Sequence, residues 1–382
     1  MTMKIIDRLT ASDLKNQKVL LRVDLNLPEF DKDGVIDDTF RVRAIKPTLA
    51  YLISHGARVA LASHITAVDS YRDLAPQISE ILGREIFFAE DLIGSEAAQL
   101  LDDHEVILLN NLRRNPGEEK NEQDFAEKLS KGFNVFINDA FAACHRAHAS
   151  LTSITEFLPS YAGFLLQKET EQLSRVIQAP AKGKVIVLGG AKISTKLPVI
   201  KNFQDKAEKI IIGGALANNF FTYRGIEVGR SLIDPEELGL LADLAYSKIV
   251  LPIDMVVSTD QSGMSEAHTM LVSSIAPNEA IFDIGPQTST LFGDIIASSE
   301  MAVWNGPMGM SEITQFREGT LAIAAAMVRS RESILGGGDS ISFINSMNML
   351  DQFTHVSTGG GAMLEFLAGN KLPGLDALGY YD

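Results

Sequence analysis

The segment Ser333-Ile334-Leu335-Gly336-Gly337-Gly338-Asp339-Ser340 decides the fold, because it joins a strand end, a glycine turn and a helix start. Backbone N–H groups and the helix dipole at such a turn suit a phosphate group. Asp339 would repel a phosphate unless a hard cation such as Mg²⁺ lay between them. The segment therefore predicts a site for metal-bound nucleotide phosphates. The alternative is a tight strand-to-helix turn in which Asp339 caps the helix.

Composition narrows the class of protein. The chain has 382 residues, enough for two domains, and a net charge of −15, which argues against nucleic acid and anionic membranes as partners. Cys144 is the only cysteine, so no internal disulfide can form. The first residues contain no apolar signal core, and no long apolar run predicts a membrane span. We expect a cytoplasmic protein, a monomer, with small-molecule partners.

Short apolar runs alternate with amphipathic segments in the first half of the chain, which is typical of a parallel sheet covered on both faces. The predicted strands are Val19–Val23, Arg58–Ala62, Glu85–Phe88, Glu105–Leu109 and Asn134–Asn138. The predicted helices are a segment from Thr39 to Gly56, then Leu74–Leu82, Glu96–Leu101 and Glu122–Lys131. The alternation pauses near Thr152–Ala162, and Phe164–Gln178 then predicts one long connecting helix.

The second half repeats the pattern. Its predicted strands are Lys184–Leu188, Lys209–Ile212, Ile249–Leu251, Met255–Val257, Ile281–Ile284, Met301–Trp304 and Ser333–Leu335. Its predicted helices are Thr195–Phe203, Ala215–Arg224, Asp234–Ser247, Thr288–Ile296 and Gln315–Ser330, and the last segments are His355–Val356 and Ala362–Ala368. The fold class is therefore α/β, with two doubly wound, Rossmann-like parallel-sheet domains joined by a long helix beside a central cleft. We place the first domain at residues 1–160, the connecting helix at 161–179 and the second domain at 180–369.

Charged and polar side chains follow the strands of the first half, where ligands of such sheets bind. Arginine is suited to bidentate contacts with phosphate and carboxylate groups, and its recurrence at several strand ends of an acidic protein favours an anion site. The alternative is a set of salt bridges and solvated faces. The residues are Asp24, Leu25, Asn26, Arg41, His64, Arg113 and Arg146.

Glycine follows the strands of the second half, together with lysines and acids. Lys192 and Lys196 are four residues apart on the opening turn of a predicted helix, so they face the same side. The other residues of this group are Gly190, Gly213, Gly214, Asn305, Pro307 and Glu312, and Val356–Gly361 ends in a further glycine run. Four glycine turns favour a nucleotide pocket. The sequence contains neither a P-loop nor a proper G-x-G-x-x-G motif, which disfavours a dehydrogenase.

His145, Cys144 and His148 permit other interpretations. The two histidines have the i, i+3 spacing of a metal pair, but no third ligand has a matching position, which disfavours zinc. Cys144 is interpreted as a small packed residue. The whole pattern predicts phosphoryl transfer, which depends on positioning, charge neutralisation and exclusion of water. Two half-sites that close on each other would supply all three.

The chain resembles the phosphoglycerate kinase family along nearly its whole length. The motifs that carry the resemblance are Arg22–Pro28, Asn138–Phe141, His145–Ser150, Gly189–Lys192, Trp304–Pro307, Gly336–Ser340 and Val356–Gly361. The resemblance implies Mg-ATP-dependent phosphoryl transfer between 3-phosphoglycerate and 1,3-bisphosphoglycerate, a step of glycolysis. It also implies that the C-terminal tail, about residues 370–382, packs on the first domain.

The resemblance assigns a role to each candidate residue. It implies that Asp24, Leu25, Asn26, Arg41, His64, Arg113 and Arg146 surround phosphoglycerate. It implies that the nucleotide contacts Gly190, Lys192, Lys196, Gly213, Gly214, Asn305, Pro307, Glu312, Gly337, Gly338, Asp339 and Ser340, with Mg²⁺ on Asp339. Arg41, Lys196 and Lys192 are the expected catalytic residues, because their charges can neutralise the phosphoryl group during transfer.

The sequence departs from the family pattern beside His64. The family carries His-Leu-Gly-Arg-Pro, whereas this chain has His64-Ile65-Thr66-Ala67-Val68, so an arginine that normally helps hold the substrate phosphate is absent. Arg72 and Arg114 are candidate substitutes. Asn110-Asn111, Ala142-Ala143 and Met310-Ser311 are further departures. The alternative function is therefore a degenerate relative that binds nucleotide but has lost or altered its phosphoglycerate specificity.

Overall fold

The computed structural model describes residues 3–27, 34–36, 39–90 and 93–382. Contacts divide the chain into two compact units, Met1–Glu171 with Lys371–Asp382, and Gln172–Asn370. Pro28, the last residue of the first family motif, lies outside the described residues. No helix within the described residues is long and apolar enough to cross a membrane.

The first unit is built on a six-stranded parallel sheet with strand order β3-β4-β2-β1-β5-β6. The strands are β1 (Lys18–Arg22), β2 (Arg58–Ala62), β3 (Phe87–Ala89), β4 (Val106–Leu109), β5 (Val135–Asn138) and β6 (Ser160–Ala162). The central strands are almost entirely apolar and buried, as expected where helices cover both faces of a sheet. Separate hydrophobic clusters pack on the two faces.

The first unit also contains helices, the last of which, α8, continues into the second unit. They are α1 (Ala11–Leu14), α2 (Phe40–Ala44), α3 (Lys46–Ser54), α4 (Ala75–Leu82), α5 (Ser95–Leu100), α6 (Pro116–Glu119), α7 (Gln123–Ser130) and α8 (Phe164–Gln178). Short 3-10 turns cover Ile6–Arg8, Leu112–Arg114, Phe141–Ala143 and Ser153–Glu156. The boundary between the two units falls inside α8. In the tail, Gly374 N donates to Cys144 O (2.9 Å).

The second unit contains a six-stranded parallel sheet with strand order β15-β14-β13-β7-β8-β9, and a three-stranded antiparallel sheet with order β11-β10-β12. The strands are β7 (Lys184–Leu188), β8 (Lys209–Ile212), β9 (Ile249–Val250), β10 (Asp254–Ser258), β11 (His268–Leu271), β12 (Ala280–Ile284), β13 (Met301–Asn305), β14 (Ser333–Gly336) and β15 (His355–Val356).

The remaining helices belong to the second unit and the tail and are given in chain order. They are α9 (Ile193–Phe203), α10 (Gly214–Tyr223), α11 (Pro286–Ala297), α12 (Glu318–Met327), α13 (Gly338–Ser346), α14 (Gly361–Leu367) and, in the tail, α15 (Pro373–Asp376). Further 3-10 turns cover Pro235–Leu241, Tyr246–Lys248, Val272–Ser274, Thr314–Phe316 and Leu350–Gln352.

The α/β fold class is confirmed, but the small antiparallel sheet corrects the expectation that every strand of the second half joins one parallel sheet. β10 and β12 pair antiparallel, with Val256 opposite Asp283. Their partner β11 was missed because three of its four residues are exposed, so it shows no apolar run. The prediction of strands near Met255–Val257 and Ile281–Ile284 was correct, but they pair antiparallel with each other and do not join the parallel sheet.

Two predicted helices have the wrong form. Asp234–Ser247 was predicted as one α-helix, but it forms two 3-10 turns with i→i+3 bonds such as Leu244 N to Leu241 O (3.3 Å). Gly239 lies inside the segment and only part of its apolar stripe is buried, which removes the usual support for an α-helix. The predicted helix from Thr39 to Gly56 breaks at Ile45, because Pro47 has no N–H to donate.

Both parallel sheets reverse their winding direction at an internal pair of strands. In the first unit the chain leaves β1 toward β2 and leaves β5 toward β6, on opposite sides. In the second unit it leaves β7 toward β8 and β13 toward β14, again on opposite sides. Such a switch point opens a crevice beyond the carboxyl ends of the two strands. A binding site is therefore expected at the loops that follow β1, β5, β7 and β13.

Candidate active site

A cluster of basic side chains lies at the switch point of the first unit. His64 is buried after β2, and its pKa is lowered, first by burial and then by the charges of Arg22, Arg113 and Arg146. Burial also lowers the pKa of His148 to about 4, reinforced by the same three arginines. The shared electrostatic influence shows that these side chains come together, although they follow different strands.

The bond between Arg22 and His64 sets the tautomer of the histidine. Arg22 is fully buried at the end of β1, and its Nη2 lies 3.0 Å from His64 Nδ1. A guanidinium can only donate hydrogen bonds, so Nδ1 must accept and the proton of the neutral ring must lie on Nε2. His64 is therefore a neutral donor, with its N–H on the nitrogen opposite Arg22.

Arg22 is itself held by a chain of buried polar groups. Its Nε donates to Ser150 Oγ (2.9 Å), and Ser150 Oγ donates to Glu118 Oε1 (2.6 Å). Ser150 N donates to Glu118 Oε2 (2.9 Å). Both charged groups are fully buried, and the serine bridges them, so each charge has partners despite the loss of water. This chain fixes the position of the Arg22–His64 pair.

Asp24 and Arg41 form an ion pair beside this cluster. Asp24 follows β1 and is almost completely buried, while Arg41 from α2 remains about one fifth exposed. Asn26 accepts hydrogen bonds through Oδ1 from Thr66 N (2.9 Å) and Thr66 Oγ1 (2.8 Å), which ties the loop after β1 to the loop after β2. The structure therefore brings Asp24, Asn26 and Arg41 to the same end of the sheet as His64.

Leu25 has a structural position. Its side chain is fully buried in the core, its N–H donates to Ser63 Oγ (2.9 Å), and its carbonyl accepts from Tyr71 Oη (3.1 Å). Both of its backbone polar groups are therefore used within the protein, and Leu25 holds the loop between Asp24 and Asn26 in place.

Arg113 and Arg146 complete the cluster. Arg113 Nε lies 2.9 Å from Glu119 Oε1, and Arg146 Nε donates to His145 Nε2 (3.2 Å). Burial lowers the pKa of Arg146, and Arg113 lowers it further, whereas Glu119 and Asp24 raise it. Arg146 is therefore within electrostatic reach of Arg113, Glu119 and Asp24.

The two candidate substitutes for the absent arginine have other partners. Arg72 forms an ion pair with Glu90, and its guanidinium lies 5.9 Å from the ring centre of Phe88, on the β3 side of the sheet. Arg114 Nη1 lies 3.4 Å from Asp69 Oδ2. β3 is separated from β1 by β4 and β2, so Arg72 lies at the far side of the sheet from Asp24.

Three glycine loops pack against one another at the switch point of the second unit. Gly190 N donates to Pro307 O (2.8 Å), and Gly214 N donates to Met308 O (3.1 Å). A Cβ on Gly214 would lie 2.6 Å from Gly190 N, and φ of Gly214 is +60°, so only glycine fits there. Gly213 N donates to Leu188 O (2.9 Å). These N–H groups stabilise the loops and are not available to a phosphate.

Lys192, Lys196 and Asp339 form the charged part of this site. Lys192 precedes α9 and is exposed, while Lys196 lies in the first turns of α9 and is half-buried. Burial lowers the pKa of Lys196, the Asp339 carboxylate raises it, and Lys192 lowers it. The Lys196 Nζ lies 3.6 Å from where a Cβ of Gly190 would be. Two ammonium groups and one carboxylate therefore surround the glycine loop after β7.

The turn after β14 keeps the features of an anion site. Gly337 precedes α13 with φ of +97°, and no side chain caps the helix, so Asp339 does not act as a cap. The first N–H groups of α13 have no acceptor within the helix. A Cβ on Gly338 would meet nothing within 4 Å, so the turn faces open space. Ser340 Oγ accepts from Gly306 N (3.1 Å), which ties the turn to the loop after β13.

Asn305 supplies a buried donor to the same turn. It ends β13, is 4% exposed, and its Nδ2 has no hydrogen-bond partner among the described residues. This nitrogen lies 3.2 Å from where a Cβ of Gly337 would be. A buried amide without an acceptor is costly, so Asn305 Nδ2 is a candidate hydrogen-bond donor to a ligand oxygen. Pro307 and the exposed Glu312 follow on the same loop.

Comparison with known proteins decides the family. The family model of phosphoglycerate kinase matches residues 9–370. The chain belongs to the phosphoglycerate kinase family. It is 40% identical over 383 residues to phosphoglycerate kinase of Thermomicrobium roseum, with 96% of this chain and 97% of the relative covered. It is also 40% identical over 390 residues to phosphoglycerate kinase of Moorella thermoacetica, with 97% and 99% covered.

Solved structures of phosphoglycerate kinases have the same fold. The structure from Pyrococcus horikoshii matches with a TM-score of 0.88 and 34% identity, over 99% of this chain and 98% of the other. The structure from Coxiella burnetii matches with a TM-score of 0.83 and 33% identity, over 99% of both chains. The chain is therefore a kinase that transfers phosphate, a phosphotransferase acting on a carboxyl group. The comparisons give no support to a degenerate relative that has lost phosphoglycerate kinase function.

Several residues that hold the candidate site residues in place were absent from the predicted set. Arg22 was counted as part of a strand, although a charged residue in a buried strand is a signal in itself. Glu118 and Ser150 gave no local signal, because their role depends on contacts between distant segments. Asn110 and Asn111, noted only as departures, bind the loop after β2: Asn111 Oδ1 accepts from Ile65 N (3.2 Å), and Asn110 Oδ1 accepts from Tyr71 N (3.2 Å).

Proposed function

We propose that the basic cluster of the first unit binds phosphoglycerate. The set is Asp24, Leu25, Asn26, Arg41, His64, Arg113 and Arg146, with Leu25 holding the loop between Asp24 and Asn26 in place. The observation that supports it most is the convergence of His64, Arg113 and Arg146 at a switch point, in a protein with a net charge of −15. The arginines suit the phosphate and carboxylate of the substrate, and the neutral His64 donates a further hydrogen bond.

The second unit, in this proposal, binds ATP or ADP. Lys192, Lys196, Asn305 and the turn Gly337, Gly338 and Ser340 take the phosphates, while Gly190, Gly213, Gly214 and Pro307 shape the pocket. Glu312 accepts hydrogen bonds from the ribose hydroxyls. The unpartnered Nδ2 of Asn305 and the open space at Gly338 support the phosphate position.

Asp339 is the proposed protein ligand of Mg²⁺. The donor set fits this cation, because Mg²⁺ in nucleotide sites binds one or two carboxylates, substrate phosphates and waters. Asp339 is exposed on the first turn of α13 and is not used as a cap. Bound Mg²⁺ would neutralise phosphate charge. Asp339 therefore holds the metal-bound nucleotide against Lys196, whose charge it already influences.

Arg41, Lys196 and Lys192 are the proposed catalytic residues, since phosphoryl transfer needs positive charge near the transferred group. Arg41 and Lys196 belong to different units, so transfer requires a domain closure that brings the two ligands into line and excludes water. We propose residues 161–179 as the connecting helix for this hinge motion, between a first domain at 1–160 with the tail and a second domain at 180–369. We further propose that the protein acts as a cytoplasmic monomer in glycolysis, with neither nucleic acid nor membrane as a partner.

Calorimetry with separate ligands tests the assignment. We expect wild type to bind 3-phosphoglycerate and Mg-ADP independently. Arg113→Ala should abolish measurable binding of 3-phosphoglycerate and leave Mg-ADP binding unchanged, and Arg84→Ala, on an exposed ion pair with Glu105, is the matched control. Asp339→Ala should weaken Mg-ADP but not metal-free ADP. Binding of Mg-ADP with no detectable binding of 3-phosphoglycerate to wild type would refute the substrate assignment.

A further inference from the structure

The loop between Gly309 and Gly319 begins and ends at one buried carboxylate. Asp283 lies on β12 of the antiparallel sheet and is 1% exposed. A Cβ on Gly309 would lie 2.4 Å from Asp283 Oδ1, and a Cβ on Gly319 would lie 2.3 Å from the same atom. The carboxylate is therefore packed between the backbones of both glycines, and neither position has room for a side chain.

Hydrogen bonds fix this arrangement on both sides. Gly319 N donates to Asp283 Oδ2 (2.7 Å), and Ile284 N donates to Asp283 Oδ1 (2.9 Å). Beside it, Met310 N donates to Phe282 O (2.9 Å). The ring of Phe282 lies 4.7 Å from the ring of Phe316, which is fully buried within the loop. β12 thus holds the loop at its start, at its end and near its middle.

Glu312 is carried by this loop. The segment is folded back on itself by short bonds, such as Ser311 N to Gly309 O (3.0 Å) and Ile313 N to Met310 O (2.9 Å). The side chain of Glu312 is exposed, and no salt bridge to it is found among the described residues. The direction of its carboxylate therefore depends on where the two ends of the loop are held.

We propose that Asp283 is a positioning residue for the nucleotide site, which holds the Gly309–Gly319 loop so that Glu312 meets the ribose. The inference rests on the proposed ribose contact of Glu312. It also gives the small antiparallel sheet a role, because its strand β12 holds in place the loop that follows β13 of the parallel sheet. Asp283 itself is buried, so it would act through the loop and not by contact with the nucleotide.

Asp254 provides a matched control in the same unit. It is fully buried, its Oδ1 accepts from Thr288 N (2.7 Å), and its Oδ2 accepts from Gln287 N (3.0 Å) at the start of α11. Asp283 and Asp254 therefore both use two oxygens to accept backbone N–H groups. Asp254 Oδ1 also accepts from Thr288 Oγ1 (2.6 Å), so replacing Asp254 by asparagine disturbs at least as many hydrogen bonds as replacing Asp283, but only Asp283 holds the loop of Glu312.

The test is a double-mutant cycle on ADP affinity. Asp283→Asn, Asp254→Asn, Glu312→Ala and the double variant Asp283→Asn/Glu312→Ala are titrated with ADP and, separately, with 3-phosphoglycerate. Since burial raises the pKa of Asp283 to about 7, titrations at about pH 8.5 keep it ionised. We expect Asp283→Asn to raise the Kd for ADP about tenfold, the worth of one charged hydrogen bond, and to leave 3-phosphoglycerate unchanged. In the Glu312→Ala background the same substitution should change the Kd less than about twofold.

Each other outcome overturns the inference. Equal effects of Asp283→Asn and Asp254→Asn would show a merely structural role. Additive effects of Asp283→Asn and Glu312→Ala would show that Asp283 does not act through Glu312, while the ribose contact itself would stand. No effect of Glu312→Ala would remove the proposed ribose contact and the inference together. If Asp283→Asn does not fold, Gly309→Ala displaces the start of the loop with the carboxylate retained, and an unchanged Kd for ADP would then contradict the proposal.

Discussion

Ala67 occupies the position at which the phosphoglycerate kinase family carries an arginine. It lies exposed in the loop after β2, which is held by Asn26 and Asn111. Arg72 is paired with Glu90 on the β3 side of the sheet, whereas Arg114 Nη1 lies 3.4 Å from Asp69 Oδ2, in the same loop as Ala67. In our proposal, the basic cluster therefore holds the substrate phosphate without the arginine that the family carries at position 67.

Restoring the arginine should strengthen substrate binding. We expect Ala67→Arg to lower KM for 3-phosphoglycerate by about tenfold, the lower end of what one charged hydrogen bond contributes. KM for ATP should not change, because the substitution lies in the other unit. Steady-state kinetics with each substrate varied in turn gives the answer. Ala67→Gln is the control for side-chain size without charge, and an equal effect of both substitutions would contradict this explanation.

The N-terminus of α8 is held by a buried carboxylate from the end of β5. Asp139 Oδ1 accepts from Leu165 N (2.9 Å) and Leu166 N (3.1 Å), and Gly163 lies so close that a Cβ would be 2.2 Å from it. The loop that follows β5 is thereby fixed to the first turn of α8. Burial raises the pKa of Asp139 to about 7, against the effect of these hydrogen bonds.

This raised pKa predicts a pH-dependent stability. The folded state binds the Asp139 proton between about pH 4 and pH 7, where the unfolded state has lost it. The contribution of Asp139 to stability is therefore complete below about pH 4 and is lost as the pH rises through 7. We expect wild type to lose on the order of 3 kcal/mol relative to Asp139→Asn between pH 4 and pH 8. Urea unfolding at several pH values measures this, and parallel stability curves for the two proteins would contradict it.

Local sequence predicted the elements well and their long-range contacts poorly. The strands Arg58–Ala62, Lys184–Leu188 and Lys209–Ile212 were predicted with the observed bounds, because a buried parallel strand is a short apolar run between turn signals. The glycines after these strands mark turns for the same local reason. Asp283 could not be identified in this way, since Gly309 and Gly319 approach it only after the chain has folded.

At the scale of the whole molecule, two units each bring charged side chains to a switch point of a parallel sheet. Solved structures of phosphoglycerate kinases match the fold of this chain over 99% of its length. If transfer depends on closure, as we propose, then neither ligand alone should bring the half-sites together, because each unit binds only one of them.

Small-angle scattering tests the closure. We expect the radius of gyration to fall only when both 3-phosphoglycerate and a non-hydrolysable Mg-ATP analogue are bound. Each ligand alone should leave the radius within error of the free protein. The Arg113→Ala variant, which should not bind 3-phosphoglycerate, serves as a control and should show no change with both ligands present. An unchanged radius of wild type with both ligands bound would contradict the hinge motion.

The most direct test of the account is turnover at saturating 3-phosphoglycerate and Mg-ATP in a coupled assay. Lys196→Ala is compared with wild type and with Lys201→Ala, an exposed lysine on the same helix near Asp243. We expect wild type and Lys201→Ala to turn over equally, and Lys196→Ala to lose at least about 100-fold in kcat, because it removes charge that stabilises the transferred group. Equal, background-level rates for all three proteins would contradict the account.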